Sequence, residues 1–452
     1  MTSITISKSK NTVEKFLSVF TEVRAGEGYS ILMLCLSIFL LLTAYYIIKP
    51  VRDALILAGS GSAEIKSYAA AGQALLLMVA VPIYGMLASL FPRRHLINLV
   101  CFFFTLCLGV FYIAAMSNIS IGVIFYLWVG IFNLMVPAQF WAFANDSYTP
   151  DEGKRLFVII AFGASAGAVF GSFITSQLIK PLGVYQLLIV SSGLLLLSLL
   201  LTNLVDTREK ENVDEITDKI KQFETPLEKG NPFALVFKHK YLLLIALLML
   251  FLNWVNTTGE YILSGTVKNA AIAAINAGKA NGMSEGQYIG NFYGNFYGIV
   301  NLVALLGQLF LVSRILKYLE IRLALMILPF IALGGYFIIA FFPVISMIRW
   351  AKTAENATDY SLQNTLRQVL FLPTTRAQKY KAKQAIDTFF VRLGDVFSAL
   401  LVYVGTTWLS FHTQHFALFN LAMVIVWIIL AFHIGKQNQK LTFECNKNTK
   451  AE

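Results

Sequence analysis

Cysteine is nearly absent from this 452-residue chain: Cys35, Cys101, Cys107 and Cys445 are all there is. Three of the four sit inside apolar runs, which excludes a disulfide framework and a thiolate metal site. Five scattered histidines supply no ligand cluster either, so no metal is expected. Charge is equally scarce. Asp, Glu, Lys and Arg make up 13% of the residues against 57% hydrophobic, with a mean hydropathy of +0.66, too apolar for a soluble protein of this size. No glycine string fits the phosphate loop Gly-x-x-x-x-Gly-Lys-Ser/Thr; Gly59-Ser60-Gly61-Ser62 lacks the lysine. No Ser, His and acid set resembles a catalytic constellation. The expectation is therefore no enzyme activity and no cofactor.

What the chain does have is long apolar runs. Stretches able to cross about 30 Å of hydrocarbon begin near Tyr29, Ala69, His95, Ile119, Arg155 and Gly183, then near Tyr241, Tyr288, Ile321, Val344, Ala382 and Gln414. The net charge of +11 raises the question of nucleic acid, but the basic residues lie in short loops between apolar runs, which is a topology signal. With the N-terminus inside, 26 of the 36 Lys/Arg fall in inner loops and tails and only Lys66, Lys180, Lys268 and Lys279 in outer loops. Alternation of this kind supports twelve spans with both termini cytoplasmic. The tenth span, carrying Arg349, Lys352, Glu355, Asp359 and Arg367, fails a plain hydropathy threshold and is retained on parity. The expected fold is all-α and integral to the membrane, with about twelve transmembrane helices in two six-helix bundles. Expected boundaries are a cytoplasmic segment 1–28, bundles 29–204 and 241–434, a charged linker 205–240 and a tail 435–452. Glu14, Glu22 and Glu27 beside Lys8, Lys10, Lys15 and Arg24 argue against an organelle transit peptide in the first segment.

Six cations fall within or at the edges of spans: Lys49, Arg52, Arg349, Lys352, Arg367 and Arg392. Facing lipid, each would cost about 2.5 to 3.5 kcal/mol on insertion scales, so they face water or a partner. Asp53, Glu260, Glu355, Asp359, Asp387 and Asp395 are the available acids. Arg349, Lys352, Glu355/Asn356, Asp359 and Gln363 recur at helical steps and share one face, expected to line an aqueous cavity. Cations converging there suit an anionic small molecule. Glu260, in the run Asn253-Trp254-Val255-Asn256-Thr257-Thr258-Gly259-Glu260, reads as a reader of a substrate amino group, a cation or proton carrier, or a salt-bridge partner of Arg52 or Lys49. Glycines at 163, 167 and 171, and at 290, 294 and 298, follow the small-xxx-small pattern of closely packed membrane helices.

Two resemblances follow from the motifs. Residues 85–94, Gly-Met-Leu-Ala-Ser-Leu-Phe-Pro-Arg-Arg, resemble the signature loop of the major facilitator superfamily, Gly-x-Leu-Ala-Asp-Arg-x-Gly-Arg-Arg, with Ser89 at the aspartate. Residues 46–57, Tyr-Ile-Ile-Lys-Pro-Val-Arg-Asp-Ala-Leu-Ile-Leu, are similar to the end of the first helix of the nucleotide transporter family, the ATP/ADP translocases of plastids and intracellular bacteria. The stretch Phe140 to Asp146, which contains Asn145, with Asp151 to Phe157, resembles that family's Phe-Trp-x-Phe-Ala-Asn and Glu-Ala-Lys-Arg-Phe-Tyr. Tyr360-Ser361-Leu362, residues 381–387 and Leu393-Gly394-Asp395 are similar to its Tyr-Ser-Leu, Lys-Gly-Lys-Ala-Ala-Ile-Asp and Leu-Gly-Lys segments.

That resemblance implies an ATP:ADP antiporter, or a close relative moving a phosphorylated anionic metabolite by alternating access, in a bacterial inner membrane. Of the family's four membrane charges, Arg52 takes the place of the first-helix lysine and Glu260 that of the seventh-helix glutamate. Asp395 reverses a lysine, and the fourth-helix glutamate falls at or near Val129. Arg349, Lys352 and Arg367 are the candidates for replacement positive charge, Arg367 lying where the family places a lysine. The substrate-binding expectation is thus Lys49, Arg52, Asn145, Glu260, Arg349, Lys352, Asp359, Arg367 and Asp395. The alternatives are a proton-coupled carrier of a non-nucleotide anionic or zwitterionic metabolite, with Glu260 and Asp395 as proton sites, and a non-transporting membrane receptor or scaffold. Lipid is the expected surrounding partner, and nucleic acid is not expected.

Overall fold

The computed structural model of the chain describes residues 11–18, 21–90, 93–148, 150–209, 232–375, 378 and 382–449. Most of the expected linker, Pro92 of the signature-like loop, and Arg376, Lys379 and Lys381 lie outside the described residues. A short helix, Thr12–Leu17, comes first. The principal helices are α1 Gly28–Leu57, α2 Ala63–Leu90, α3 Arg93–Met116, α4 Gly122–Ser147, α5 Pro150–Leu182 and α6 Gln186–Glu209. After the short helix Pro232–Lys238 come α7 Lys240–Asn276, α8 Glu285–Leu306, α9 Ile321–Phe341, α10 Ile345–Thr358, α11 Val391–Thr407 and α12 Thr413–Thr449. Among the described residues, ten helices are long and apolar enough to cross a membrane.

Two fall short for different reasons: α10 carries Arg349, Lys352 and Glu355 within 14 residues, and α11, with Arg392 and Asp395 as its charges, is only 17 residues long. α10 continues without a break through a π-helical turn, Asp359–Gln363, into Asn364–Leu370. At 1.5 Å per residue that rod is about 39 Å long. α11 is likewise preceded by a π-turn, Ile386–Phe390. A third π-turn, Gly307–Val312, extends α8. π-turns are rare and gather at functional positions, and the first two of these carry Asp359 and Asp387.

By backbone contacts the chain forms two compact units: residues 1–51, 82–121 and 128–225, and residues 52–81, 122–127 and 226–452. Within the first, α5 lies against α1 with glycine as the spacer. A Cβ added at Gly163, Gly167 or Gly171 would come within 2.6, 2.3 or 2.4 Å of the carbonyl oxygens of Cys35, Phe39 and Thr43. Ser37 of α1 bonds Ser198 and Thr202 of α6, so buried hydroxyls satisfy one another where no water reaches. Phe104, Phe111, Trp128 and Phe132 pack as one aromatic cluster. α3 runs along α6 in this unit, and α9 runs along α12 in the other, the same pairing displaced by six helices. Ile113 and Leu200, among the most exposed apolar side chains, are suited to lipid.

The start of the first unit is pinned by charge. Glu27 accepts from the Arg155 guanidinium at 2.9 and 3.2 Å, and Glu14, 3% exposed, accepts from the Gly26 N–H at 2.6 Å. Burial pushes the Glu27 carboxyl up, but the bond from Arg155, the Arg24 N–H and the charge of both arginines outweigh it. The net result is a carboxyl held below the usual carboxylate range.

Two outcomes are expected from thermal unfolding in detergent. Gly167→Val should cost about 1–3 kcal/mol through overpacking, whereas Gly193→Ala, with nothing within 4 Å of the added Cβ, should be tolerated. Glu27→Gln should cost about 1 kcal/mol near neutral pH. Since the folded carboxyl is depressed, that difference is fully present above the ordinary carboxylate pKa and vanishes as pH falls through the lowered value.

Candidate functional site

The polar side chains of the second unit gather along one face of α7. Asn253, Asn256, Thr257, Glu260 and Ser264 recur at three- and four-residue steps, so they stand in one stripe. Asn253 and Thr257 donate to the Asp395 carboxylate of α11 at 2.8 and 2.7 Å. Asn256 accepts from the Lys352 ammonium of α10 at 2.8 Å, and Asn356 of α10 donates to Glu260 at 3.1 Å. α7 thus separates two ion pairs, each formed within its own helix. Lys352 pairs with Glu355 at 3.0 Å on α10, and Arg392 with Asp395 at 3.4 Å on α11.

Lys352 is fully buried, and a second carboxylate, Glu260, lies 4.0 Å from it with 22% of its side chain exposed. An isolated charge at such a site would be prohibitive, so the ammonium stands only because carboxylates and an amide oxygen surround it. Glycine makes room for the arrangement. A Cβ at Gly259 would fall 2.1 Å from the Tyr336 hydroxyl and 2.9 Å from the Lys352 ammonium. The Tyr336 hydroxyl lies 3.1 Å from both the Val255 carbonyl and the Glu355 carboxylate. Asn420 of α12 donates to the same carbonyl at 3.0 Å.

Nearer the α1–α2 corner, Asp53 is wholly buried between Arg52 and Lys66, each 3.0 Å away. The Tyr297 hydroxyl of α8 donates to it at 2.9 Å. Lys66 also donates to Ser264 at 2.8 Å and Tyr293 at 3.3 Å. The Arg52 guanidinium lies over the Tyr126 ring at 4.5 Å.

Of the residues marked by sequence, the structure brings Glu260 and Lys352 into one cluster, with Asp395 on the other flank of α7. Asp359 is half-buried on the π-turn that continues α10. Arg367 is 4.0 Å from Asp387, away from Lys352 along the same rod. Arg349 lies over the Phe292 and Trp350 rings at 5.6 and 5.9 Å, and its buried Nε has no hydrogen-bond partner. Lys49 and Asn145 belong to the first unit: Lys49 is buried with its ammonium over the Tyr46 ring, and Asn145 is exposed near the end of α4. The embedded cations therefore occur mostly as members of ion pairs and not as a bare positive lining.

Sequence reasoning passed over Lys66, Tyr293, Tyr297 and Tyr336. The tandem Asn-Phe-Tyr-Gly at 291–298 was the available signal, because it sets Tyr293 and Tyr297 one turn apart on one face.

A bundle of membrane helices with a polar, ion-paired seam at mid-length is the architecture of a membrane carrier. The sequence profile of the Major Facilitator Superfamily matches residues 34–354, and the chain belongs to that family. A curated relative, ADP,ATP carrier protein 1 of Chlamydia muridarum (strain MoPn / Nigg), is 22% identical over 382 residues, 77% of this chain and 72% of the relative. Among solved structures, the nucleoside transporter NupG aligns with a TM-score of 0.61 at 12% identity, covering 90% of this chain and 98% of that one. A POT family transporter in complex with 5-aminolevulinic acid gives 0.62 at 12%, covering 91% and 96%. A D-xylose-proton symporter gives 0.59 at 12%, covering 90% and 96%. At these identities the structural likeness shows the fold alone. The protein is a multi-pass membrane transporter of the major facilitator type.

Lys352→Met leaves two carboxylates facing no ammonium and should lower stability by about 3–5 kcal/mol. The double variant Lys352→Met/Glu355→Gln should recover most of that loss in the same unfolding assay, since the buried charge left unpaired is removed.

Proposed function

We propose that the chain carries a nucleotide or closely related phosphorylated metabolite, exchanged across the bilayer by alternating access. The observation that carries this reading is Arg349. Embedded in α10 one turn from Lys352, it is flanked by the rings of Phe292 and Trp350, has no carboxylate partner among the described residues and keeps a buried Nε without an acceptor. A guanidinium in that condition suits an oxyanion, which supplies charge and acceptors together. Aromatic faces beside it suit a planar base.

Further support comes from Arg52 and Glu260, which stand at the positions of a lysine and a glutamate used by the ATP/ADP translocases that the sequence resembles. The 22% identity to an ADP,ATP carrier agrees with this. Asp395 stands where those translocases have a lysine, and the Asn253, Thr257 and Arg392 contacts hold its charge inside the protein. On this reading Asp395 has become a structural acid on the flank of α7, and Arg349 provides the positive charge for the substrate.

Proteoliposomes preloaded with ADP should accumulate labelled ATP, and Arg349→Gln should reduce the initial rate by about tenfold or more, the loss expected for one charge-assisted hydrogen bond. Absence of uptake across a panel of nucleotides and sugar phosphates, from protein that is folded and monodisperse, contradicts the reading.

A further inference from the structure

A cavity within the second unit has no part in the carrier reading. About 390 Å³ in volume, it lies where the start of α2, the later turns of α7 and the α11–α12 turn meet. Tyr261, Gly265 and Lys268 line it at helical steps along α7, on the face next to the stripe that holds Glu260 and Ser264. The rings of Tyr261, Phe411 and Phe416 form its apolar wall. Tyr261 meets Phe416 edge-on at 5.0 Å, and Phe411 meets Phe416 in the same way at 5.5 Å.

Glu64 is the one acid among the described residues that line the cavity. Half-buried, it accepts from the Tyr261 hydroxyl at 3.0 Å and from the Ser62 hydroxyl, and it has no ion-pair partner among the described residues. The cation of the same wall, Lys268, donates instead to the carbonyls of Gly59 and Gly61. A carboxylate bonded only by neutral groups keeps its charge for a cation, and aromatic neighbours favour an organic ammonium. A hard metal ion would need more oxygen ligands than one carboxylate supplies. Lys268 opposes a second positive charge but favours an anion attached to the first. Two of its three ammonium donors are taken, and Asn269, exposed beside it, has an amide with no described partner. Glu64 and Lys268 do not touch, so the two charges of the ligand are separated by a spacer. The level of the cavity along the helices fits a phosphate carrier of that kind: Trp408 and Leu409, which lead into its α11–α12 wall, are 69% and 55% exposed, as side chains at the headgroup boundary are.

We propose that this cavity binds an aminoalkyl phosphate, its ammonium on Glu64 beside the rings of Tyr261, Phe411 and Phe416 and its phosphate at Lys268 and Asn269. The free compound and the headgroup of an ethanolamine phospholipid share this chemistry, and a volume of this size holds either.

Radiolabelled O-phosphoethanolamine, with the purified full-length chain in detergent and free of added lipid, should show saturable binding by scintillation proximity. Glu64→Gln should raise its Kd about tenfold or more, the loss of one charge-assisted hydrogen bond. Gly265→Leu should abolish binding without touching a charge: Ala63 Cβ, at 3.7 Å, is the only neighbour within 4 Å of an added Cβ, so the longer side chain extends into the cavity. Arg349→Gln should bind the probe as the wild type does, which separates this cavity from the proposed transport site. Nanodiscs then identify the source. In phosphatidylglycerol the probe should bind; in phosphatidylethanolamine, loss of probe binding assigns the cavity to the lipid headgroup, and retained binding assigns it to the free compound. Absence of saturable binding, equal displacement of the probe by glycine, or an unchanged Kd in Glu64→Gln and Gly265→Leu overturns the proposal. Should one of those two variants not be monodisperse, the other decides.

Discussion

A charge within a hydrocarbon layer has to be matched by another charge or by water, and this constraint organises the second unit around α7. Its stripe from Asn253 to Ser264 is neither a lipid-facing surface nor a packed apolar seam. Amide, hydroxyl and carboxylate groups follow one another along it so that successive steps serve different neighbours: Asp395 on one side, Lys352 and Asn356 on the other, Lys66 at the end. Removing Lys352 or Arg392 strands the carboxylate paired with it, and such pairing is what lets the charged helix α10 stand within a membrane fold.

Much of this was legible in the sequence. Hydropathy located the long helices, because the bilayer enforces their length directly. The tenth span was argued from parity alone, and α10 stays below a hydropathy threshold because Lys352, Glu355 and Asn356 are charged or polar groups whose cost is met by other protein groups, which hydropathy does not count. The glycine repeat at 163, 167 and 171 also read correctly as close approach, since a Cβ there would meet the Cys35, Phe39 and Thr43 carbonyls.

Pairing was not legible. Glu260 could have met Arg52 or Lys49 on sequence grounds, yet Lys352 is the cation beside it. Lys66 looked like a loop residue because it precedes the apolar run that marks α2, whereas the helix begins at Ala63 and turns the lysine inward. Tyr336 gave no signal, since its role depends on the vacancy left by Gly259 in another helix. Contacts between helices distant in sequence are set by packing, which a single chain's periodicity does not encode.

The carrier reading rests on one claim, that the polar seam of α7 and α10 is a ligand-binding surface and not merely an internal brace. Thermal stabilisation of detergent-solubilised protein by a panel of nucleotides, sugar phosphates and amino acids tests it most directly. A phosphorylated compound should raise the unfolding temperature of the wild type and lose that effect in Arg349→Gln. Equal shifts in both proteins, or none from any anion in the panel, would contradict it.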